Sequence, residues 1–65
     1  MQMLIYEMRS SRNMSIRKLA HMSGISIGAL SNYENNKTYP TLFTLEIIAQ
    51  TLECKITDLF ESNYK

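Results

Sequence analysis

The apolar residues of this chain recur at three- and four-residue intervals almost from end to end, a spacing that predicts short helices and no strand. Met1, Leu4, Ile5 and Met8 form the first stripe, which predicts a helix from about residue 2 to residue 12 with that stripe inward. Asn13 and Met14 break it. Leu19 and Ala20 pack a second helix, Leu30 and Tyr33 a third, and Leu42, Leu45, Ile48, Ala49 and Leu52 give a fourth its continuous apolar face. A short fifth helix, from about Ile56 to Phe60, closes the core with Ile56, Leu59 and Phe60. Ser15, Ser26 and Thr41 precede the second, third and fourth helices, each with a hydroxyl that can accept from an otherwise unpaired amide one turn on. Linkers, repeats and low-complexity tracts are absent, so residues 1–65 read as one domain.

Between Ser15 and Lys37 the pattern takes a particular form. Leu19 and Ala20 lie on one side of Gly24, Leu30 and Tyr33 on the other, and Ile25 follows the glycine where it can plug the corner between two crossed helices. That is a helix-turn-helix, spanning about residues 15–35. The outward row of its second helix is Ser26, Ile27, Gly28, Ser31 and Asn32, short enough side chains to lie against the edges of DNA bases.

The order of pieces across the chain carries a resemblance. Leu19-Ala20, Gly24-Ile25-Ser26, Leu30, Tyr33-Glu34-Asn35, Lys37, Pro40, Leu42, Leu45, Ile48-Ala49, Leu52 and Asp58-Leu59-Phe60 resemble the Cro/phage-repressor (XRE-like) helix-turn-helix family from about Leu4 to Phe60. The resemblance implies an all-α, compact five-helix repressor-like DNA-binding domain. It also implies an ion pair between Arg9 and Glu34, tying the first helix to the end of the third. Departures from the family pattern are informative. Ile16 stands where the family commonly has a phosphate-touching Gln, Ser23 replaces a valine-like corner residue, and Asn36 and Glu53 replace glycines. Asn36 tolerates a left-handed backbone. Glu53 does so at a steric cost, so the fourth helix is expected to end less sharply than is usual.

The recognition row is poor in long polar side chains, which narrows what it can read. Ile27 can make only apolar contact, for which the thymine methyl is the major-groove target, and Asn32 matches the N6 and N7 edge of adenine. Gly28 lets the backbone approach closely, while Ser26 and Ser31 reach phosphate or either base. Phosphate positioning falls to the amides at the start of the third helix, to Arg17 and Lys18 in the second, and to Asn35, Lys37, Thr38 and Tyr39 in the following loop. The expected target is an A/T-leaning palindromic operator.

A net charge of only +1 is small for a DNA binder, but it is unevenly spread. Residues 1–40 carry five Arg or Lys against two Glu, and residues 41–65 carry two Lys against four acidic residues. The reading head thus lies in the positive part. At 65 residues the chain buries about 60% of the surface it exposes unfolded, enough for one core and not for two. A homodimer therefore has to use these same residues. Phe43 and Ile47, four apart and away from Leu45 and Ile48, are the candidate interface, with Tyr64 in the tail.

Other chemistry is limited by residue supply. A single histidine, His21, and a single cysteine, Cys54, form no metal cluster, disulfide or Cys-His catalytic pair, so neither a cofactor nor an enzyme activity is expected. His21 reads as solvent-facing, Cys54 as a small hydrophobe, and Met3 and Met22 as exposed. No run approaches the roughly 18 apolar residues of a membrane span, and the N-terminus lacks a signal peptide's apolar core. The expected location is the cytoplasm, and the resemblance implies a bacterial or phage-encoded protein. The function read from the sequence is sequence-specific double-stranded DNA binding by a transcriptional regulator, a repressor by resemblance. The alternative is a protein-interaction module or antitoxin with a protein partner and secondary or no DNA binding, a reading favoured by the thinned recognition row.

Overall fold

A computed structural model describes all residues, Met1–Lys65. It contains β1 (Gln2–Met3), α1 (Ile5–Ser11), α2 (Ile16–Ser23), α3 (Ile27–Glu34), α4 (Leu42–Leu52), a 3₁₀ turn (Ile56–Leu59) and β2 (Phe60–Glu61). Ile5, Leu19, Leu30, Ile48, Leu52 and Leu59 are fully enclosed, so each of the four helices and the 3₁₀ turn contributes at least one side chain to a single core. No polar residue is buried with them. The helices are too short to persist alone, and this shared apolar surface supplies what their propensities do not.

The three hydroxyl caps form as spaced. Ser15 Oγ accepts from the Lys18 amide at 3.0 Å, Ser26 Oγ from Ala29 at 3.1 Å and Thr41 Oγ1 from Thr44 at 3.1 Å. The C-termini share a second device. Asn13 (φ 54°), Gly24 (φ 76°), Asn36 (φ 57°) and Glu53 (φ 54°) each follow one of the four helices in the left-handed conformation, which turns the chain and lets the next amides reach back to unpaired carbonyls. Met14 donates to the Arg9 carbonyl at 2.9 Å, Lys37 to Asn32 at 2.9 Å and Cys54 to Ala49 at 3.0 Å. At Gly24 a simpler bond from its own amide to Ala20 suffices.

Several expectations need correction. The fold is not purely helical: residues 2–3 pair antiparallel with residues 60–61, and the Leu4 amide donates to the Leu59 carbonyl at 2.8 Å. This ribbon keeps α1 from starting before Ile5, buries Met3 and leaves Met1 exposed. There are four α-helices rather than five, because the final segment is one 3₁₀ turn, closed by Asp58 Oδ2 accepting from the Lys55 amide, before the chain extends at Phe60. Leu42 is 72% exposed, since the first turn of α4 overhangs the core that begins at Leu45. Finally, α4 ends sharply: Glu53 donates to the Gln50 carbonyl at 3.2 Å and completes a left-handed cap without being glycine.

That cap stores strain, because a side chain in the left-handed region costs about 1–2 kcal/mol. Glu53→Gly is expected to raise stability by up to about 1 kcal/mol, a few degrees in Tm, once the entropy of glycine in the unfolded chain is offset. Gly24→Ala should lower it by about 1 kcal/mol; a Cβ there meets nothing within 4 Å, so the loss is conformational. Thermal denaturation followed by circular dichroism reads both.

Candidate nucleic-acid interface

The outward row of α3 follows from how α3 is held. Leu30 is fully buried and Tyr33 is packed against the core, which turns Ile27, Gly28, Asn32 and Asn35 to solvent and leaves Ser31 half-buried at their edge. Nothing lies within 4 Å of a Cβ built at Gly28, so that part of the helix backbone is open to close approach. Ser26 spends its hydroxyl on the Ala29 amide. The amides of Ile27 and Gly28, at the positive end of the helix dipole, keep no partner within the chain.

One polar contact ties the end of that helix to α1. Arg9 of α1 grips the Glu34 carboxylate at the end of α3 through both edges, Nε to Oε2 at 2.7 Å and Nη2 to Oε1 at 3.1 Å. Its Nη1 donates to the Met14 carbonyl at 3.2 Å, in the link between α1 and α2. Only 13% of the Arg9 and 10% of the Glu34 side chain is exposed, and the Tyr6 ring lies 4.9 Å below the guanidinium. The hydrogen bond to Glu34 raises the Arg9 pKa further above its ordinary value, opposed by partial burial. Since the folded pKa is raised, the stabilisation linked to Arg9 is present throughout the neutral range and is lost as pH rises into strong alkali.

The loop after α3 is folded back onto it. Lys37 and Thr38 donate their amides to the Asn32 carbonyl, at 2.9 and 3.5 Å, which places both beside Asn32. Arg17 and Lys18 stand exposed in the first turn of α2, the element packed beside α3. The row on α3, the loop amides and the α2 basic pair are thus linked through short connections. Two residues are placed differently from the rest. Asn35 bends its Nδ2 back to the Ser31 carbonyl at 2.9 Å, which holds the end of α3 and leaves only its Oδ1 free. Tyr39 is exposed but lies along an apolar groove with Pro40 and Leu42, at the border of the face.

Two residues act here through contacts that sequence reasoning missed. Asn36 Oδ1 accepts from the Met3 amide at 2.9 Å, clamping the loop that carries Lys37 to the β-ribbon. Its fitness for a left-handed turn was legible, but a partner 33 residues away was not. Ser23 Oγ accepts from the Ile25 amide at 3.2 Å, so the polar corner satisfies the turn's own backbone.

Outside this face little chemistry is assembled. No group of three or more His, Cys, Asp or Glu side chains converges on a metal-sized site, and no helix is long and apolar enough to cross a membrane. Burial pushes the Cys54 thiol pKa up, against a smaller opposing effect of Arg12, so little of the reactive thiolate is present near pH 7.

The crossed pair α2 and α3, its glycine turn and the core that orients it define the class. The sequence model of the helix-turn-helix family matches residues 5–59, and the chain belongs to that family. It is similar to the HTH-type transcriptional regulator DdrOP3 of Deinococcus deserti, at 34% identity over 55 residues. That match takes in 85% of this chain and 43% of the relative, so the chain spans less than half of the relative's length.

If Arg9 and Glu34 orient α3, Arg9→Ala should lower stability by about 2–3 kcal/mol, because it leaves the Glu34 carboxylate half-buried and uncompensated. Urea denaturation measures this. An unchanged midpoint together with a flattened salt dependence of DNA binding would make Arg9 a phosphate ligand instead.

Proposed function

We propose that this chain binds double-stranded DNA sequence-specifically as a transcriptional repressor, laying the outward row of α3 in the major groove. The observation that carries this reading is the uncommitted face of α3. Ile27, Gly28 and Asn32 stand exposed on a helix whose opposite side is locked by Leu30, Tyr33 and Glu34, with the Lys37 loop pinned to the Asn32 carbonyl. Membership of the helix-turn-helix family and similarity to a transcriptional regulator support it.

In this reading Asn32 pairs with the N6 and N7 edge of adenine and Ile27 packs on a thymine methyl. The open amides of Ile27 and Gly28, with Arg17, Lys18, Lys37, Thr38, the Asn35 oxygen through water and the Tyr39 hydroxyl, hold the flanking phosphates. Ser26 and Ser31 sit at the edges of the row. A module this small makes few base contacts, so two copies one helical turn apart, about 34 Å, read a two-fold operator. The chain acts in the cytoplasm as a homodimer on DNA.

Selection of bound sequences from random duplexes tests the reading. The expected half-site is A/T-rich at its central pairs, and Asn32→Ala should cost about 1–3 kcal/mol against it with folding intact. Selection for guanine at those pairs contradicts the assignment. Lys37→Ala should weaken specific and non-specific DNA alike and lower the slope of log K against log salt by about one, with Tm nearly unchanged.

A further inference from the structure

One feature that the DNA-binding reading does not use is apolar. Beside the first turn of α4, a groove of about 180 Å³ runs between the β-ribbon and the loop before α4, walled by Met1, Tyr39, Pro40, Leu42 and Phe60, with no charged side chain in its lining. Phe43, the residue next to Leu42, is 70% exposed and supports nothing in its own chain's core. Aromatic surface left in water next to an apolar hollow marks an interaction site.

Three observations select the occupant. The groove is smaller than the roughly 300–1,000 Å³ of a small-molecule site, but it matches a single ring: a cavity of about 150 Å³ holds benzene. Phe43 follows Leu42, a wall of the hollow, so an exposed phenyl ring and a ring-sized hollow both belong to the first turn of α4, and a two-fold contact requires that each copy offer both halves. Met1, Tyr39, Leu42 and Phe43 are each more than half exposed. At about 150–250 Å² for a whole large side chain they present on the order of 500 Å² per copy, or about 1,000 Å² per pair, the low end of specific interfaces.

We propose that this patch is the two-fold interface between copies of the chain, each copy seating its Phe43 ring in the partner's groove against Tyr39, Pro40 and Leu42. The inference rests on the reading of the chain as an operator-binding dimer and names the surface that reading leaves open. Of the interface expected from sequence it keeps Phe43 and sets Ile47 and Tyr64 aside. Ile47 is half-buried and adds little, and Tyr64, although 97% exposed, lies in a tail that folds back through Lys65 Nζ onto the Phe60 carbonyl at 2.9 Å.

The position of the patch has a consequence for DNA binding. Tyr39 and Pro40 belong to the same loop as Lys37 and Thr38, so a ring seated in the groove presses on the segment that carries the phosphate contacts. The small buried area makes the free dimer weak, and a two-site operator then completes it by raising the effective concentration of the second copy.

Sedimentation velocity on the whole chain, alone and with a two-site duplex obtained by selection, tests the interface. The expected result is concentration-dependent dimerisation that Phe43→Glu weakens at least 100-fold, with the monomer still folded by circular dichroism because Phe43 lies outside the core. Leu42→Glu should do the same from the groove side. A photo-crosslinking residue at position 43 should join two copies, with the cross-link mapped to Met1, Tyr39, Pro40 or Phe60 of the second. Binding to a single half-site should survive both substitutions. A dimer indifferent to both overturns the interface while leaving DNA reading intact. A chain that stays monomeric at high concentration and on the two-site duplex overturns the second copy as occupant. Loss of dimer in a chain that binds no DNA at all supports the interface and overturns only the DNA-binding reading.

Discussion

The bridge between Arg9 and Glu34 is the constraint on which the arrangement of this molecule depends. In this 65-residue chain only nine residues are buried, all of them apolar, so their side chains make no directional polar contact. A two-edged guanidinium-carboxylate contact adds direction, because its planar geometry tolerates little rotation. Arg9 joins three parts of the chain through it: α1, the carbonyl at Met14 before α2, and the end of α3. With the pair only about one-tenth exposed, a charge left single there has no full hydration to return to.

A chain of short connections leads from that bridge to the candidate interface. Glu34 ends α3, Asn35 and Asn36 close it, and the Asn32 carbonyl receives the next two amides, so the orientation of the helix and the course of its following loop are set together. Asn36 then ties the same loop to β1 through the Met3 amide. The β-ribbon, two residues on each strand, would be marginal alone. It persists because it lies between the loop and the 3₁₀ turn, where the Leu4 amide meets the Leu59 carbonyl. The ends of the chain are therefore brought to the loop that adjoins α3.

Most of the helix-turn-helix was legible in the sequence because its signals are local. Ser15, Ser26 and Thr41 announce helix starts through bonds three residues long, and Gly24 announces a turn through its own backbone freedom. What escaped depends on distant partners. Met1, Leu4, Ile5 and Met8 fit a helical stripe, yet the pairing of Gln2 and Met3 with Glu61 and Phe60 pulls the first residues out of it. Leu42 fits the stripe of α4 but lies beyond the end of the core, a fact about where the neighbouring elements stop. Glu53 shows that hydrogen bonding to Ala49 and Gln50 can hold a side chain in a left-handed cap that residue preference disfavours. For the candidate interface, the sequence located the outward row of α3, while the spent amide of Asn35 and the position of Tyr39 on the groove depend on side-chain contacts beyond any local pattern.

The proposed DNA-contacting surface is α3 and its loop, held from behind by Arg9. Amide chemical-shift mapping during titration with a selected duplex tests this most directly. The largest changes are expected at Arg17 and Lys18, along residues 26–32 and at 35–39, with α1 and the second half of α4 nearly still. Largest changes along the acidic half of the chain, from Glu46 to Glu61, or none on saturation with DNA, would contradict it.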